Sequence, residues 1–191
     1  RSPYEGGTRN PIMFRWKGTI APADRPELCS SLDFVPTVLA AAGAKGPHDF
    51  PGLNLLPQLK SGRKIKRDTL FGESYAHDIA DIENPQASLL HRWVIRGHDK
   101  LLLTYDGAPG KMKYAPEDGK PQLFDLKKDP TEKNNLGTKN PKRVKELSAL
   151  LDEWYVPEQR TMGKVSPVTT GTKAGNDPQK GQKRKEAPAN K

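Results

Sequence analysis

Apolar residues along this chain come in short runs with two different spacings. Ile12, Met13, Phe14 and Trp16, bounded by Pro11 and Gly18, form a run of the length of a buried strand. Residues 18–28, broken by Pro22 and Pro26, read as a surface loop. Leu32, Phe34, Val35, Val38 and Leu39 then form one broad apolar face at helical spacing. Ser30 or Ser31 stands where an N-cap belongs, Pro36 falls in the first turn or so, and Gly43 marks a stop. A helix is therefore predicted from Leu32 or Asp33 to Ala42, packed on the sheet that holds residues 12–16.

Beyond it the period changes. Residues 44–65 are irregular, with Leu53, Leu55, Leu56 and Leu59 pinning them to the body. Three runs, 69–75, 91–96 and 100–105, have strand character, and Gly97-His98-Asp99 makes a tight turn between the last two. Residues 122–126 supply a fourth strand, so a small, mainly antiparallel sheet is expected. Residues 125–136 are rich in turn formers. Asn140-Pro141 then opens a helix whose Val144, Leu147, Leu150, Leu151 and Trp154 face inward and cover that sheet.

Composition narrows the class. In 191 residues, 34% hydrophobic content and a mean hydropathy of −0.81 allow one modest core. The single cysteine, Cys29, excludes an internal disulfide framework, and no apolar run reaches the length of a membrane span. The net charge of +9 invites a nucleic-acid reading, but from Gly163 onward seven basic residues face two acidic ones, so +5 of it sits in a Gly/Pro/Thr/Lys-rich tail. Such a composition is that of a solvated, disordered segment, and Lys183-Arg184-Lys185 is too short a cluster to specify a polyanion. The expected organisation is residues 1–60, the end of an α/β domain with its connector; 61–160, a small C-terminal subdomain; and 161–191, a disordered basic tail.

The chemistry begins at Ser2-Pro3-Tyr4-Glu5-Gly6-Gly7-Thr8-Arg9. Paired glycines after a carboxylate mark backbone that needs positive φ or close approach by another group. Taken alone, this is an ordinary tight turn. Three more passages follow in order: Ser30 to Leu39 ending at Gly43; Arg92 to Leu103; and Leu123-Phe124-Asp125-Leu126 with Asp129-Pro130-Thr131-Glu132 and Asn135-Leu136. With these four passages the chain resembles, from Arg1 to about Tyr155, the C-terminal portion of the sulfatase family, formylglycine-dependent arylsulfatases in the alkaline phosphatase superfamily. The resemblance implies the C-terminal part of an α/β fold, α+β in the portion present. That portion would hold one strand and helix of the large central sheet and a small antiparallel four-stranded sheet covered by a C-terminal helix.

It also implies a sulfuric ester hydrolase with a formylglycine nucleophile and a calcium ion, both supplied by residues upstream of this chain. Cys29 is followed by Ser30-Ser31-Leu32 and not by the family's x-Pro-x-Arg, so it is not the nucleophile. The family's sulfate-contacting lysine falls four residues before Tyr4, just ahead of Arg1. No catalytic group and no metal ligand is therefore expected here, and the chain alone is expected to be inactive. Ser2, Tyr4, Glu5, Gly6 and Gly7 would border the active site. His77, Lys111 and Lys113 lie in loops suited to an anionic ligand, although wet loops are polar without binding anything. His77 and Asp81 lack a third metal ligand, and Glu5 with Arg9 is expected to form a structural ion pair.

The implied partner is a sulfated small molecule or sulfated glycan, with no specific nucleic acid, and the implied location is periplasmic or secreted. Two other readings stand beside it. One is a phosphate or phosphonate ester hydrolase of the same superfamily; the other is a basic polyanion-binding module.

Overall fold

The computed structural model describes residues 2–46, 50–76, 83, 88–105, 120–154 and 156–157. A four-residue helix, α1 (Glu5–Thr8), opens the chain; a 3-10 turn, Ser31–Asp33, leads into α2 (Phe34–Ala41), and α3 (Leu56–Ser61) follows. Four strands, β1 (Thr69–Tyr75), β2 (Leu89–Arg96), β3 (Asp99–Thr104) and β4 (Gln122–Asp125), make one antiparallel sheet in the order β1-β2-β3-β4, and α4 (Pro141–Trp154) ends the described chain.

The sheet is a meander because each strand is joined to its neighbour. Arg96 pairs with Asp99, leaving Gly97-His98 as a two-residue hairpin loop. Gly97 takes φ +63°, the left-handed value that the first central position of a tight hairpin turn of this kind requires. Alternation gives the sheet two faces. Val94, Leu101 and Leu123 point to the side covered by α4 and form the core with Leu147 and Leu151, while Phe71 stacks on Trp154 at 5.2 Å between centroids. The helical spacing of those α4 residues foretold this packing. Arg92, on the same face, ties the helix down: Nη1 donates to the Leu151 carbonyl (3.1 Å), Nη2 pairs with Asp152 (2.9 Å) and Nε donates to the Tyr105 hydroxyl (2.7 Å).

The opposite face carries His91, Trp93 and Ile95 of β2 with Lys100 and Leu102 of β3 and Phe124 of β4. Trp93 lies over Gly72 on the neighbouring strand, where an added Cβ would sit 2.3 Å from the indole, so only glycine leaves it room. Phe124 meets Tyr4 edge to face at 6.1 Å. The N-terminal turn and α4 thus cover opposite faces of one sheet.

Before the sheet, expectation and structure part at several points. Residues 12–16 carry no strand, because no described strand lies alongside to complete their backbone hydrogen bonds. The apolar face of α2 is likewise not laid on a sheet: Leu32, Phe34, Val35 and Val38 are 44–54% exposed, and Phe14 stacks on Phe34 at 5.5 Å. The helix lies within one or two residues of its predicted limits, its expected first residues wound as the 3-10 turn, with Gly43 at φ +66° past its end. Ser30 accepts from the Leu32 amide while Asp33 accepts from the Ser30 amide, a reciprocal capping box. Ser30→Ala should cost about 1 kcal/mol of stability, read from the urea midpoint of the chain; an unchanged midpoint would show the box to be idle. A third helix, α3, interrupts the stretch expected to be irregular, since Pro57 in its first turn is compatible with helix.

Candidate functional site

The residues that close the Ser2–Thr8 turn are drawn from three distant parts of the sequence. Gly7 and Thr8 donate backbone N–H groups to the Tyr4 carbonyl (2.8 and 3.0 Å), and the Ser2 hydroxyl accepts from the Tyr4 amide (3.2 Å). An added Cβ on Gly7 would stand 2.3 Å from the Ser2 carbonyl oxygen. Gly7 therefore meets the second of the two demands read from the sequence, close approach, and neither Gly6 nor Gly7 has positive φ. The glycine pair forms the exposed crest of the turn, while Pro3 and Glu5 are buried beneath it.

What holds Glu5 down is Lys100. The β3 ammonium is fully buried and lies 2.9 Å from the Pro3 carbonyl, 3.1 Å from Glu5 and 2.9 Å from Glu132. Glu132 also accepts the Glu5 backbone N–H through its other oxygen. It reaches this position from a turn where its own φ is +53°, a left-handed conformation that a non-glycine residue adopts only when its surroundings hold it there. The Tyr4 hydroxyl donates to Gln122 (2.8 Å), and burial raises its pKa, the charge of Glu132 adding to that, so it stays protonated at neutral pH. The turn is thus a clamped wall. Its carboxylate neutralises a lysine and its phenol is bonded, which leaves the glycine crest as the surface it presents.

Glu5 consequently forms no pair with Arg9. The α1 turn points Glu5 inward to Lys100, whereas Arg9, just past the helix, is exposed. Ser2, Tyr4, Glu5, Gly6 and Gly7 do come together as one turn. His77, Lys111 and Lys113, and Asp81 with them, lie outside the described residues. Cys29 is half-buried, and burial first, then the charge of Asp33, pushes its thiol pKa up, making it a poor nucleophile. Asp33 is buried, which works against its charged form, yet the Arg67 guanidinium with the amides of Ser30 and Leu53 holds its carboxyl below the usual range.

Sequence reasoning missed Lys100 and Glu132. The signal was there in part: Lys100 falls in the apolar run 100–103, on the same strand face as Leu102, where a cation needs a buried partner.

The N-terminal turn, the α2 cap and the Glu132 turn are the same stretches that carried the resemblance. The family model described as N-sulphoglucosamine sulphohydrolase, C-terminal, matches residues 1–156. The chain belongs to the sulfatase family.

Among sulfatases, human arylsulfatase A is 35% identical over 136 residues, covering 70% of this chain and 27% of that protein. The N-acetylgalactosamine-6-O-sulfatase of Bacteroides thetaiotaomicron is 31% identical over 156 residues, covering 79% and 28%. The uncharacterized sulfatase YdeN of Escherichia coli K12 is 29% identical over 180 residues, covering 85% and 32%. A solved sulfatase structure from a study of glycosaminoglycan metabolism by Bacteroides thetaiotaomicron superposes with a TM-score of 0.53 at 25% identity, over 73% of this chain and 28% of that one. The chain therefore spans between about a quarter and a third of its relatives' length and represents the C-terminal portion of the sulfatase fold.

Sulfatases use calcium, a hard cation that takes about six to eight oxygen ligands. Among the described residues no group of three or more His, Cys, Asp or Glu stands close enough to hold a metal, and Glu5, Glu132 and Asp33 already face Lys100 or Arg67. The described residues do not fit that ion. No helix among them is long and apolar enough to cross a membrane.

Proposed function

We propose that this chain forms the C-terminal wall of a sulfuric ester hydrolase acting on a sulfated sugar, and that it supplies binding surface and no reacting group. The observation that carries this reading is the buried Lys100–Glu5–Glu132 clamp, which fixes a glycine-crested turn without leaving its carboxylate or phenol available for proton transfer. Sulfuryl transfer gathers negative charge on several oxygens, and its catalysis depends on preorganised positive groups that do not move during the reaction. A rigid wall serves that need; a reactive one would not. In the full enzyme the uncovered face of Met13, Phe34, Val35 and Val38 packs against the rest of the central sheet.

His77, Lys111 and Lys113 are the groups assigned to contact the anionic substrate, and the enzyme is assigned a place outside the cytoplasm. The sugar part of the substrate is supported by a relative named N-acetylgalactosamine-6-O-sulfatase and by a neighbour solved in work on glycosaminoglycans.

The 191-residue chain, given an aryl sulfate, should show no turnover. Joined behind the formylglycine-bearing portion of human arylsulfatase A at the family boundary, it should restore hydrolysis of aryl sulfate and not of aryl phosphate. Turnover by the chain alone, or a preference for the phosphate, defeats the reading.

A further inference from the structure

Lys60-Ser61-Gly62-Arg63-Lys64-Ile65-Lys66-Arg67 places five cations in eight residues, and the fold sorts them by side. Helix α3 stops at Gly62, which takes φ +72°. Beyond it the chain alternates. Ile65 is buried and Arg67 turns to Asp33, while Lys64 and Lys66 are exposed. Two-residue spacing along an extended chain puts such side chains on one side, about 6.5 Å apart. Arg63, at the other parity, and Lys60, on α3 ahead of the Gly62 turn, are exposed as well, Lys60 lying over the Trp16 ring at 5.8 Å. Arg25 donates to the carbonyls of Arg63 (3.0 Å) and Gln58 (3.4 Å), which fixes this edge against the preceding loop, while its own charge is balanced by Glu27.

This surface is not neutralised. Among the described residues Lys60, Arg63, Lys64 and Lys66 have no acidic partner, and Glu27, which reaches into the area, faces Arg25 at 3.7 Å. Next to Lys66 opens a cleft of about 170 Å³, lined also by Leu53, Asn54, Leu55, Gln58 and Ile65. The Gln58 side-chain oxygen is buried without a hydrogen-bond partner. Aliphatic walls with amide groups suit a pyranose ring, and cations at the rim suit sulfate. The cleft lining lacks the aromatic platforms on which single-stranded nucleic acids stack.

We propose that this stripe, Lys60 to Lys66, binds a sulfated polysaccharide, one sugar seated in the Gln58 cleft and its sulfates on the lysines and Arg63. The preference for sulfate over another polyanion rests on the sulfated-sugar function proposed above; the cationic surface itself does not.

The test uses the full chain on immobilised heparin across a salt series, with the C-terminal cluster varied separately. Replacing Lys60, Arg63, Lys64 and Lys66 together by Gln leaves the fold's buried groups untouched. It should weaken binding on the order of 100-fold near 0.15 M salt and flatten the salt dependence, since four anion contacts are lost. Replacing Lys183, Arg184 and Lys185 should change binding less than about threefold. Desulfated heparin should fail to bind, and a mixed-sequence single-stranded RNA should fail to compete. Wild-type affinity in the fourfold variant overturns the stripe, as does larger weakening by the tail variant. Equal binding of desulfated heparin, or equal competition by RNA, overturns the sulfated ligand. Aryl sulfate turnover by the unmodified chain would instead defeat the proposed function, so the two failures read out separately.

Discussion

Lys100→Met should destabilise the chain by about 3–5 kcal/mol, one of the largest losses any single substitution here can produce. The methionine nearly matches the lysine stem in volume and sits among apolar neighbours, since Ile95 and Phe124 are its cross-strand partners. The loss is therefore electrostatic. Two carboxylates, Glu5 and Glu132, keep their burial and lose their cation, and the Pro3 carbonyl loses its donor. Urea unfolding followed by far-ultraviolet circular dichroism measures the cost. Adding Glu5→Gln and Glu132→Gln to Lys100→Met should return part of it. Neutral amides are cheaper to bury, and the side-chain carbonyl left at position 132 by Glu132→Gln can still accept the backbone N–H of residue 5. A loss below about 1 kcal/mol in the single variant, or no recovery in the triple, would mean that the clamp is solvated and that the Ser2–Thr8 turn is held by Tyr4 alone.

That clamp also shows where the sequence stopped being informative. The four strands, the hairpin between β2 and β3 and the covering helix were legible because each rests on local patterning: Val94 and Leu101 alternate along adjoining strands, and Leu147 and Leu151 recur one turn apart. The Ser30 cap and the Gly43 stop were legible for the same reason. The turn at Ser2–Thr8 could be recognised from its wording, but what anchors it could not. Lys100 and Glu132 lie 95 and 127 residues away from Glu5, and no local rule joins them. The strand expected at residues 12–16 failed for the opposite reason. Its apolar content was read correctly, yet a strand exists only beside another, and among the described residues none is beside it. The same shortage of partners leaves Phe34, Val35 and Val38 exposed on a helix whose limits were predicted well. The cationic stripe was overlooked because its charges are scattered in sequence between Ser61, Gly62 and Ile65. Only the alternation of buried Ile65 with exposed Lys64 and Lys66 puts those two lysines on one side.

Stability should fall by about 3 kcal/mol as pH drops from 6.5 to 4, and His91 should be the cause. The imidazole is 2% exposed at the centre of β2, and burial pushes its pKa down to about 4 from the usual 6.5. Its Nδ1 shares a hydrogen bond of 2.8 Å with the Ser74 hydroxyl on the adjacent strand, while Nε2 is buried with no hydrogen-bond partner. Thr104, directly across on β3, has a buried hydroxyl likewise without a partner, and burial of the ring, with no opposing charge beside it among the described residues, drives the shift. A group that is easier to protonate when unfolded favours the unfolded chain in acid. The His91 contribution is therefore complete above pH 6.5, declines through the interval, and is gone below about 4. Asp33, Asp125 and Asp129 have lowered pKa values and lose their contributions only at still lower pH, so they do not mask it. Urea midpoints measured at half-unit steps from about pH 7.5 to 4 should trace this decline in the wild-type chain. In His91→Leu, which removes the titrating ring and one buried orphan atom, the profile between about 6.5 and 4.5 should be flat. If the variant keeps the wild-type slope, the acid sensitivity belongs to another group, and burial of His91 does not set the lower pH limit of the fold.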